Sequence, residues 1–234
     1  MEMPSEIWLV RHGETEWSRS GQHTSRTDLP LTPEGERHAA DLKRMLAGHS
    51  FAQVLSSPMK RAVETCRLVG LAPEISEDLR EWDYGDYEGL TTPEIQKRVR
   101  GWTIWTGAPP NGETAGQVGA RADRVISRAM SAAGDVALFG HGHLLRILAA
   151  RWLGLEPSAA LEVEHGNHHR RRRREGEPVH RERGDRGRRV GEAIGRHLVD
   201  RVALHAHALR RQVTRAARLA AAAGERELPG LPPK

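Results

Sequence analysis

Two histidines stand at the ends of strand-like runs, each beside a glycine or an arginine. The run "WLVRHG" reaches Arg11 and His12, and "ALFGHG" reaches His141 and Gly142. Glycine lets the backbone turn sharply and lets a ligand approach it closely. Arg11, together with Arg61 further along the chain, can present planar guanidinium groups to a phosphoryl group. Two imidazoles and two guanidiniums, with no cysteine cluster and no HExxH spacing, favour phosphoryl chemistry over a metal site.

Strand and helix patterns alternate around these residues. "EIWLV", "FAQVLSS" and "DVALFGH" have the composition of strands. "LTPEGERHAADLKRML" predicts a helix with Thr32 as N-cap and Pro33 at its first position. Pro58 is expected to open the next helix, "PMKRAVETCRLVGL", and two more helices are predicted in "TAGQVGARADRVISRAM" and "HLLRILAARWLGL".

This order predicts an α/β fold, a three-layer sandwich in which helices cover both faces of a mostly parallel sheet. In such sheets, ligands bind at the carboxyl ends of the strands. We therefore expect His12 and His141 at one edge of the sheet. The helix that follows His141 should also direct free backbone N–H groups at the same anion.

The composition excludes several classes of protein. The sequence contains no run of about 18 apolar residues, so we expect no membrane span. The acidic start "MEMPSE" lacks the features of a secretory signal. The single cysteine, Cys66, rules out an internal disulfide and suits a reducing cytoplasm, so we expect a cytoplasmic protein. Its apolar neighbours on a predicted helix make Cys66 a small core residue.

The basic charge is confined to the carboxyl-terminal part of the chain. Residues 1–164 contain 18 Lys and Arg against 23 Asp and Glu, whereas residues 165–234 contain 18 against 8. We therefore predict a mildly acidic folded domain over residues 1–164 and a basic Arg/Ala-rich tail over residues 165–234. Nucleic acid is an unexpected partner for the domain and would bind only through the tail.

Two interpretations of this tail are open, since its run "HGNHHRRRRREGEPVHRERGDRGRR" cannot form a sheet core. One is a basic, poorly ordered arm that binds anions or nucleic acid. The other, which we favour, is a frameshift in a GC-rich gene. With one choice of synonymous codons, dropping the first letter turns residues 166–178 into Ala-Thr-Ile-Thr-Val-Val-Gly-Val-Glu-Lys-Gly-Ser, a strand followed by a turn. Beyond this run, strong helix formers allow a helix.

Four motifs together resemble one known family. "LVRHGETEW", "SSPMKRAVET", "LREWDYGDYEGL" and "FGHGHLLRIL" occur in the order and spacing of the histidine phosphatase superfamily, also called phosphoglycerate mutase-like. The resemblance covers about residues 5 to 160. "WSRSGQHTSRTDLPLTPEGE" and "EWDYGDYEGLTTPEI" are most similar to a branch of bacterial acid phosphatases and sugar bisphosphatases. The resemblance implies a phosphoglycerate mutase-like fold and hydrolysis of small phosphomonoesters.

The resemblance also implies roles for five catalytic residues. His12 matches the nucleophile that forms a phosphohistidine. Arg11, Arg61 and His141 match the pocket that holds the phosphoryl oxygens. Glu81 matches the acid that protonates the leaving oxygen and then activates water, which requires Glu81 to be protonated when substrate binds.

Further residues are expected to support the site. Ser18 stands where many relatives have an asparagine that donates to phosphate, and a serine hydroxyl can also donate. Thr24 lies on the same predicted loop, and Gly142 allows close approach, so all three are predicted to bind substrate. Glu113 resembles a family segment that starts a helix near the pocket; capping and contact with the site stay open for it. Arg121 is expected to form an ion pair.

Alternative functions remain open at this level. One alternative is phosphoryl transfer of the phosphoglycerate mutase type. Phosphoglycerate mutases of the family carry a longer insertion after "EGL", with extra arginines. Here the segment is short, with Lys97, Arg98 and Arg100 on a predicted helix, so we favour hydrolysis. A phospho-ligand binder without catalysis, with a nucleic-acid-binding tail, is a third possibility. The expected ligand is a small phosphorylated metabolite such as a sugar phosphate or bisphosphate, with no metal and no organic cofactor. Monomer and homodimer are both compatible with the sequence.

Overall fold

The computed structural model of the chain describes residues 6–161 and the pair 204–205. Apart from that pair, the predicted tail lies outside the described residues, and so do the frameshift, the basic arm and the helix suggested for it. Among the described residues, no helix is both long and apolar enough to cross a bilayer.

The described strands form one five-stranded, mostly parallel sheet. The strands are β1 (Glu6–Arg11), β2 (Gln53–Ser56), β3 (Glu74–Ile75), β4 (Val136–Gly140) and β5 (Leu204–His205), in the spatial order β3-β2-β4-β1-β5. The pairs β1–β4, β2–β4 and β2–β3 are parallel, and only β5 runs antiparallel, along the first two residues of β1. The predicted parallel sheet is confirmed.

The helices begin where the sequence supplies caps. They are α1 (Glu16–Ser20), α2 (Pro33–Leu46), α3 (Lys60–Leu68), α4 (Thr92–Arg98), α5 (Ala115–Ala129) and α6 (Gly142–Trp152). Thr32 caps α2 with its side chain, and Pro33 is the first helical residue, as predicted. Pro58 does not open α3, which starts at Lys60 after Met59 as N-cap. Arg100 lies beyond the last residue of α4.

The side chains of β1 separate the two faces of the sheet, because successive residues of a strand point to opposite sides. Ile7 and Leu9 pack with buried residues of α5 and α6. Trp8 and Val10 pack with Leu42 and Cys66 of the opposite helix layer, α2 and α3. These two cores give the predicted three layers. Burial raises the pKa of the Cys66 thiol to about 12, so the thiol stays protonated and packs as an apolar group.

A long irregular segment between β3 and α5 covers one end of the sheet. It contains short 3-10 helices at Glu77–Leu79 and Gly85–Tyr87, followed by α4. Its aromatic residues Trp82, Tyr84 and Trp102 are buried and extend the core formed with α5 and α6. The segment therefore has a core of its own although little of its backbone is in regular structure.

Candidate active site

The parallel pairing of β1 and β4 brings the two histidines together. Arg11 lies opposite Gly140 in the register, and the next backbone N–H, that of His12, donates to the Gly140 carbonyl at 3.1 Å. The ring centroids of His12 and His141 are 5.0 Å apart, and both side chains are buried. The expected meeting of the two histidines at one edge of the sheet is therefore observed.

The hydrogen bonds of His12 define its tautomer. Its Nδ1 lies 2.7 Å from the carbonyl oxygen of Gly13, and a carbonyl oxygen only accepts, so Nδ1 carries the proton. The Nε2 atom of the neutral ring then has a free lone pair. Burial, and next the Arg11 and Arg61 guanidiniums, hold the pKa of His12 well below its ordinary value of 6.5. The ring is therefore neutral at neutral pH, with Nε2 unprotonated.

The hydrogen bonds of His141 leave a donor at its other nitrogen. Nδ1 accepts from Arg61 Nε at 3.3 Å, because a guanidinium has no acceptor. The pKa of His141 is also held well below 6.5, by burial first and then by His12, Arg61 and Arg11. Its proton is therefore on Nε2, which donates to the Ser57 hydroxyl at 2.8 Å. Ser57 follows the carboxyl end of β2, a third strand that ends at this edge.

The two predicted arginines occupy different positions in the site. Arg11 lines the pocket, and its buried Nε has no hydrogen-bond partner among the described residues. Arg61 is fully buried behind His141. Its guanidinium donates to His141 and to the backbone carbonyls of Thr24, Ser25 and Thr27. The structure therefore shows Arg61 anchoring the loop at residues 24–27, and the binding of a phosphoryl group by Arg61 stays a prediction.

A glycine fixes the turn that follows His12. The Gly13 N–H donates to the Thr65 hydroxyl of α3 at 2.9 Å. A Cβ at Gly13 would lie 2.7 Å from the Gly35 carbonyl oxygen at the start of α2. The chain can therefore pass between α2 and α3 only without a side chain at this position.

Glu81 reaches the same pocket from the irregular segment and is itself buried. Its Oε1 accepts the backbone N–H groups of Trp82 at 2.8 Å and Leu144 at 2.9 Å, and its Oε2 accepts that of His143 at 3.1 Å. We expected the first turn of α6 to offer free N–H groups to substrate. This expectation is wrong for the N–H groups of His143 and Leu144, which Glu81 already accepts. A carboxylate near a helix N-terminus satisfies donors that the helix itself cannot.

The three predicted substrate-binding residues, Ser18, Thr24 and Gly142, all line the pocket. The Ser18 hydroxyl also takes part in the capping box of α1, accepting from the Thr15 N–H at 2.8 Å and donating to the Thr15 carbonyl. The Thr24 hydroxyl donates to the Gln22 carbonyl at 3.2 Å. Both hydroxyls therefore have protein partners in the absence of a ligand.

The pocket has a volume of about 250 Å³ and is lined by His12, whereas His141 and Arg61 lie outside its lining. Residues whose role sequence reasoning missed or left uncertain complete its wall: Gly21, Gln22, His23, Tyr84, His143 and Arg146. The Tyr84 hydroxyl lies 2.6 Å from His143 Nδ1, and the Arg146 guanidinium lies over the Trp105 ring. Arg146 lies four residues after Gly142 and three after His143 on α6, so helical spacing could have indicated Arg146.

Glu113 and Arg121 lie behind Glu81. Thr114, and not Glu113, is the N-cap of α5. Glu113 instead pairs with Arg121, whose Nη2 lies 2.7 Å from its Oε2, as expected for Arg121. In the described part of the chain, no group of three or more His, Cys, Asp and Glu side chains is arranged to hold a metal ion.

Comparisons with known proteins agree with this geometry. The model of the histidine phosphatase superfamily (branch 1) matches residues 7–177. The chain is 41% identical over 181 residues to sedoheptulose 1,7-bisphosphatase of Saccharomyces cerevisiae, covering 63% of this chain and 67% of the relative. It is 42% identical over 155 residues to an acid phosphatase of Mycobacterium tuberculosis, covering 64% and 76%.

A solved structure of a Mycobacterium tuberculosis open reading frame superposes with a TM-score of 0.64 at 37% identity, covering 67% of this chain and 84% of that one. This similarity is consistent with the layered α/β architecture described above. The chain therefore belongs to branch 1 of the histidine phosphatase superfamily and is a phosphoric monoester hydrolase of small molecules.

Proposed function

We propose that this phosphatase works through a phosphohistidine on His12, with Glu81 as general acid and then general base. The Nε2 lone pair attacks phosphorus while the bond to the leaving oxygen breaks, and that oxygen takes the proton of the Glu81 carboxyl group. In the second half, Glu81 takes a proton from water, whose oxygen attacks phosphorus as the P–N bond breaks. Inorganic phosphate leaves, and both residues return to their starting states.

The observation that carries this proposal is the protonation pattern of His12. The Gly13 carbonyl fixes the proton on Nδ1, and burial beside two guanidiniums keeps the ring neutral. A neutral imidazole with Nε2 unprotonated is the form that can attack phosphorus.

Three groups are placed to stabilise the transferred phosphoryl group. Arg11 lines the pocket with an Nε–H that has no partner among the described residues. His141 can turn its Nε2–H from Ser57 to a phosphoryl oxygen, and Arg61 supports this tautomer by donating to Nδ1. Fixed donors of this kind stabilise charge that develops in the transition state.

The hydrogen bonds of Glu81 identify which of its oxygens would carry the transferable proton. A carboxylate oxygen has two lone pairs, and Oε1 uses both on the N–H groups of Trp82 and Leu144. Oε2 accepts only from His143 among the described residues. Its second lone pair can therefore hold the proton that the leaving oxygen receives.

The substrate class follows from the pocket and the relatives. The pocket continues beyond His12 to a wall of polar and aromatic side chains, which suits a small polar leaving group. The relatives are named for a sugar bisphosphate and for acid phosphatase activity. We therefore infer that sugar phosphates or sugar bisphosphates are the substrates, and a panel of phosphorylated metabolites would rank them.

The nucleophile can be tested by substituting His12. We expect His12→Gln to lower turnover of an aryl phosphate by about a thousandfold or more, because the attacking lone pair is lost. When the reaction with labelled substrate is quenched rapidly without acid, label should be trapped on the wild-type chain. The bond that holds the label should break in acid and survive alkali. The His12→Gln variant should carry no label.

A matched control is His38→Gln on α2, where His38 contacts Glu34 and does not line the pocket. This control should keep wild-type turnover and labelling. Equal turnover in His12→Gln and wild type, or label on another residue, would remove His12 as the nucleophile.

A further inference from the structure

The segment that carries Glu81 is held from behind by one partly buried side-chain pair, Glu113 and Arg121. The two side chains are 22% and 14% exposed. The Arg121 guanidinium meets the Glu113 carboxylate along one edge, with Nε to Oε1 at 2.8 Å and Nη2 to Oε2 at 2.7 Å. Such a two-point pairing fixes the plane of the guanidinium as well as its position.

The rest of the guanidinium binds the backbone immediately before and at Glu81. Nη1 donates to the carbonyl oxygens of Asp78 at 2.8 Å and Arg80 at 2.9 Å, and Nη2 donates to that of Glu81 itself at 3.4 Å. Arginine has five N–H groups, and these contacts together with the two to Glu113 use all of them. No other side chain that contacts residues 78–81 in the described structure makes as many bonds to their backbone.

Glu113 binds the backbone immediately after Glu81. Its Oε2 accepts the Asp83 N–H at 3.0 Å, its own N–H donates to the Asp83 carbonyl at 3.0 Å, and its carbonyl accepts from Trp82 Nε1 at 2.7 Å. The pair therefore holds the chain on both sides of Glu81, while α6 holds the carboxylate from the pocket side.

From this geometry we propose that Glu113 and Arg121 are positioning residues for the acid–base step, acting through Glu81 without touching substrate. The proposal rests on the proposed role of Glu81. Proton transfer requires the donor oxygen within hydrogen-bond distance of the leaving oxygen. A small shift of the 78–83 backbone therefore weakens protonation of the leaving group while leaving His12 and its guanidinium neighbours in place.

The test compares substrates that differ in their need for protonation. A dinitrophenyl phosphate has a leaving group that departs without a proton, whereas an alkyl or sugar phosphate needs one. We measure kcat/KM for both, because this quantity reports the steps up to loss of the leaving group. We expect Arg121→Lys and Glu113→Gln to lower the ratio of alkyl to dinitrophenyl kcat/KM by about tenfold or more, in the same direction as Glu81→Gln.

The matched control is Arg124→Gln, one turn further along α5. Arg124 also binds the segment, but through the exposed Asp78 side chain and not through backbone carbonyls. The ratio of alkyl to dinitrophenyl kcat/KM in Arg124→Gln should equal that of the wild type. A purely structural role for Arg121 or Glu113 would slow both substrates by the same factor, which would overturn the proposal.

A double variant tests whether Arg121 acts through Glu81. Adding Arg121→Lys to Glu81→Gln should change the ratio no further, because the group being positioned is already lost. A further tenfold fall would overturn the proposal. If the ratio in Glu81→Gln equals the wild-type ratio, both the proposed role of Glu81 and this inference are overturned. If the ratio shifts in Glu81→Gln but not in Arg121→Lys, only this inference is overturned.

Discussion

His12 and Glu81 reach one pocket from two different kinds of backbone. His12 follows a strand whose neighbours fix it by main-chain bonds, and even its imidazole is bonded to a carbonyl, that of Gly13. Glu81 lies in an irregular segment where the Arg121 side chain donates to the carbonyls of Asp78 and Arg80. The sheet therefore positions His12, the proposed nucleophile, whereas side chains help to position Glu81, the proposed acid. Substitutions that alter backbone shape should therefore damage the sheet edge at His12. Substitutions that alter side-chain chemistry should damage the segment around Glu81.

The largest expected effect comes from Gly13→Ala, which attacks the sheet-edge region through its backbone. The new Cβ would lie 2.7 Å from the Gly35 carbonyl oxygen, and neither backbone can move freely. We expect a loss of about 3 kcal/mol in the free energy of unfolding, measured by urea denaturation.

Gly142→Ala is its matched control, because the nearest atom to a Cβ there is Arg11 Nε at 3.6 Å, an ordinary contact. Alanine also favours a helix over glycine, so the unfolding free energy should change by less than about 1 kcal/mol. Similar losses in both variants would show that backbone crowding does not distinguish the two positions.

The next effect is a pH dependence of stability caused by the buried histidines. Burial lowers the pKa of His12 and of His141 in the folded chain below the ordinary 6.5. As pH falls below 6.5 the unfolded chain takes up protons that the folded chain does not, so stability falls, with a slope approaching about 1.4 kcal/mol per pH unit for each histidine.

Removing one of the two histidines tests this dependence. Urea denaturation between pH 7 and pH 5 should show a shallower loss for His12→Gln than for the wild type. Parallel curves would mean that His12 is protonated equally in both states. The same low pKa of His12, the proposed nucleophile, predicts that kcat/KM does not fall through protonation of His12 until the pH is well below 6.5.

A smaller effect is expected from Glu81→Gln on stability, because the carboxylate also caps α6. Glutamine replaces one of the two acceptor oxygens that bind the backbone N–H groups of Trp82, His143 and Leu144, which should cost about 1 kcal/mol in the free energy of unfolding. The control Glu77→Gln alters an exposed carboxylate in the same segment, paired with Arg80, and should leave the unfolding midpoint unchanged. A stabilised Glu81→Gln would argue against the capping contribution.

The smallest expected effect comes from an ion pair remote from both regions. Arg128 on α5 pairs with Glu74 on β3, and their side chains are 36% and 60% exposed. Arg128→Gln should lower the unfolding free energy by less than about 0.5 kcal/mol, because water screens such pairs. A loss as large as that of Gly13→Ala would contradict the ranking of effects.

The sequence by itself determined the layers and the residues of the sheet edge. The alternation in β1, the Thr32 cap and the two strand ends at His12 and His141 are local patterns, and parallel pairing forces such ends to one edge. The motifs likewise identified the family and small-molecule hydrolysis.

Only the tertiary structure decided which contacts hold Glu81 and the part of the pocket wall around it. Glu81 accepts N–H groups of α6, Arg61 anchors the loop at 24–27, and Arg121 binds the carbonyls before Glu81. The residues in these contacts are 34 to 62 positions apart. The backbone between β3 and α5 follows no regular repeat, so no periodicity predicts which donor each carbonyl meets. Long-range hydrogen bonds of this kind exist only once packing has closed the chain on itself.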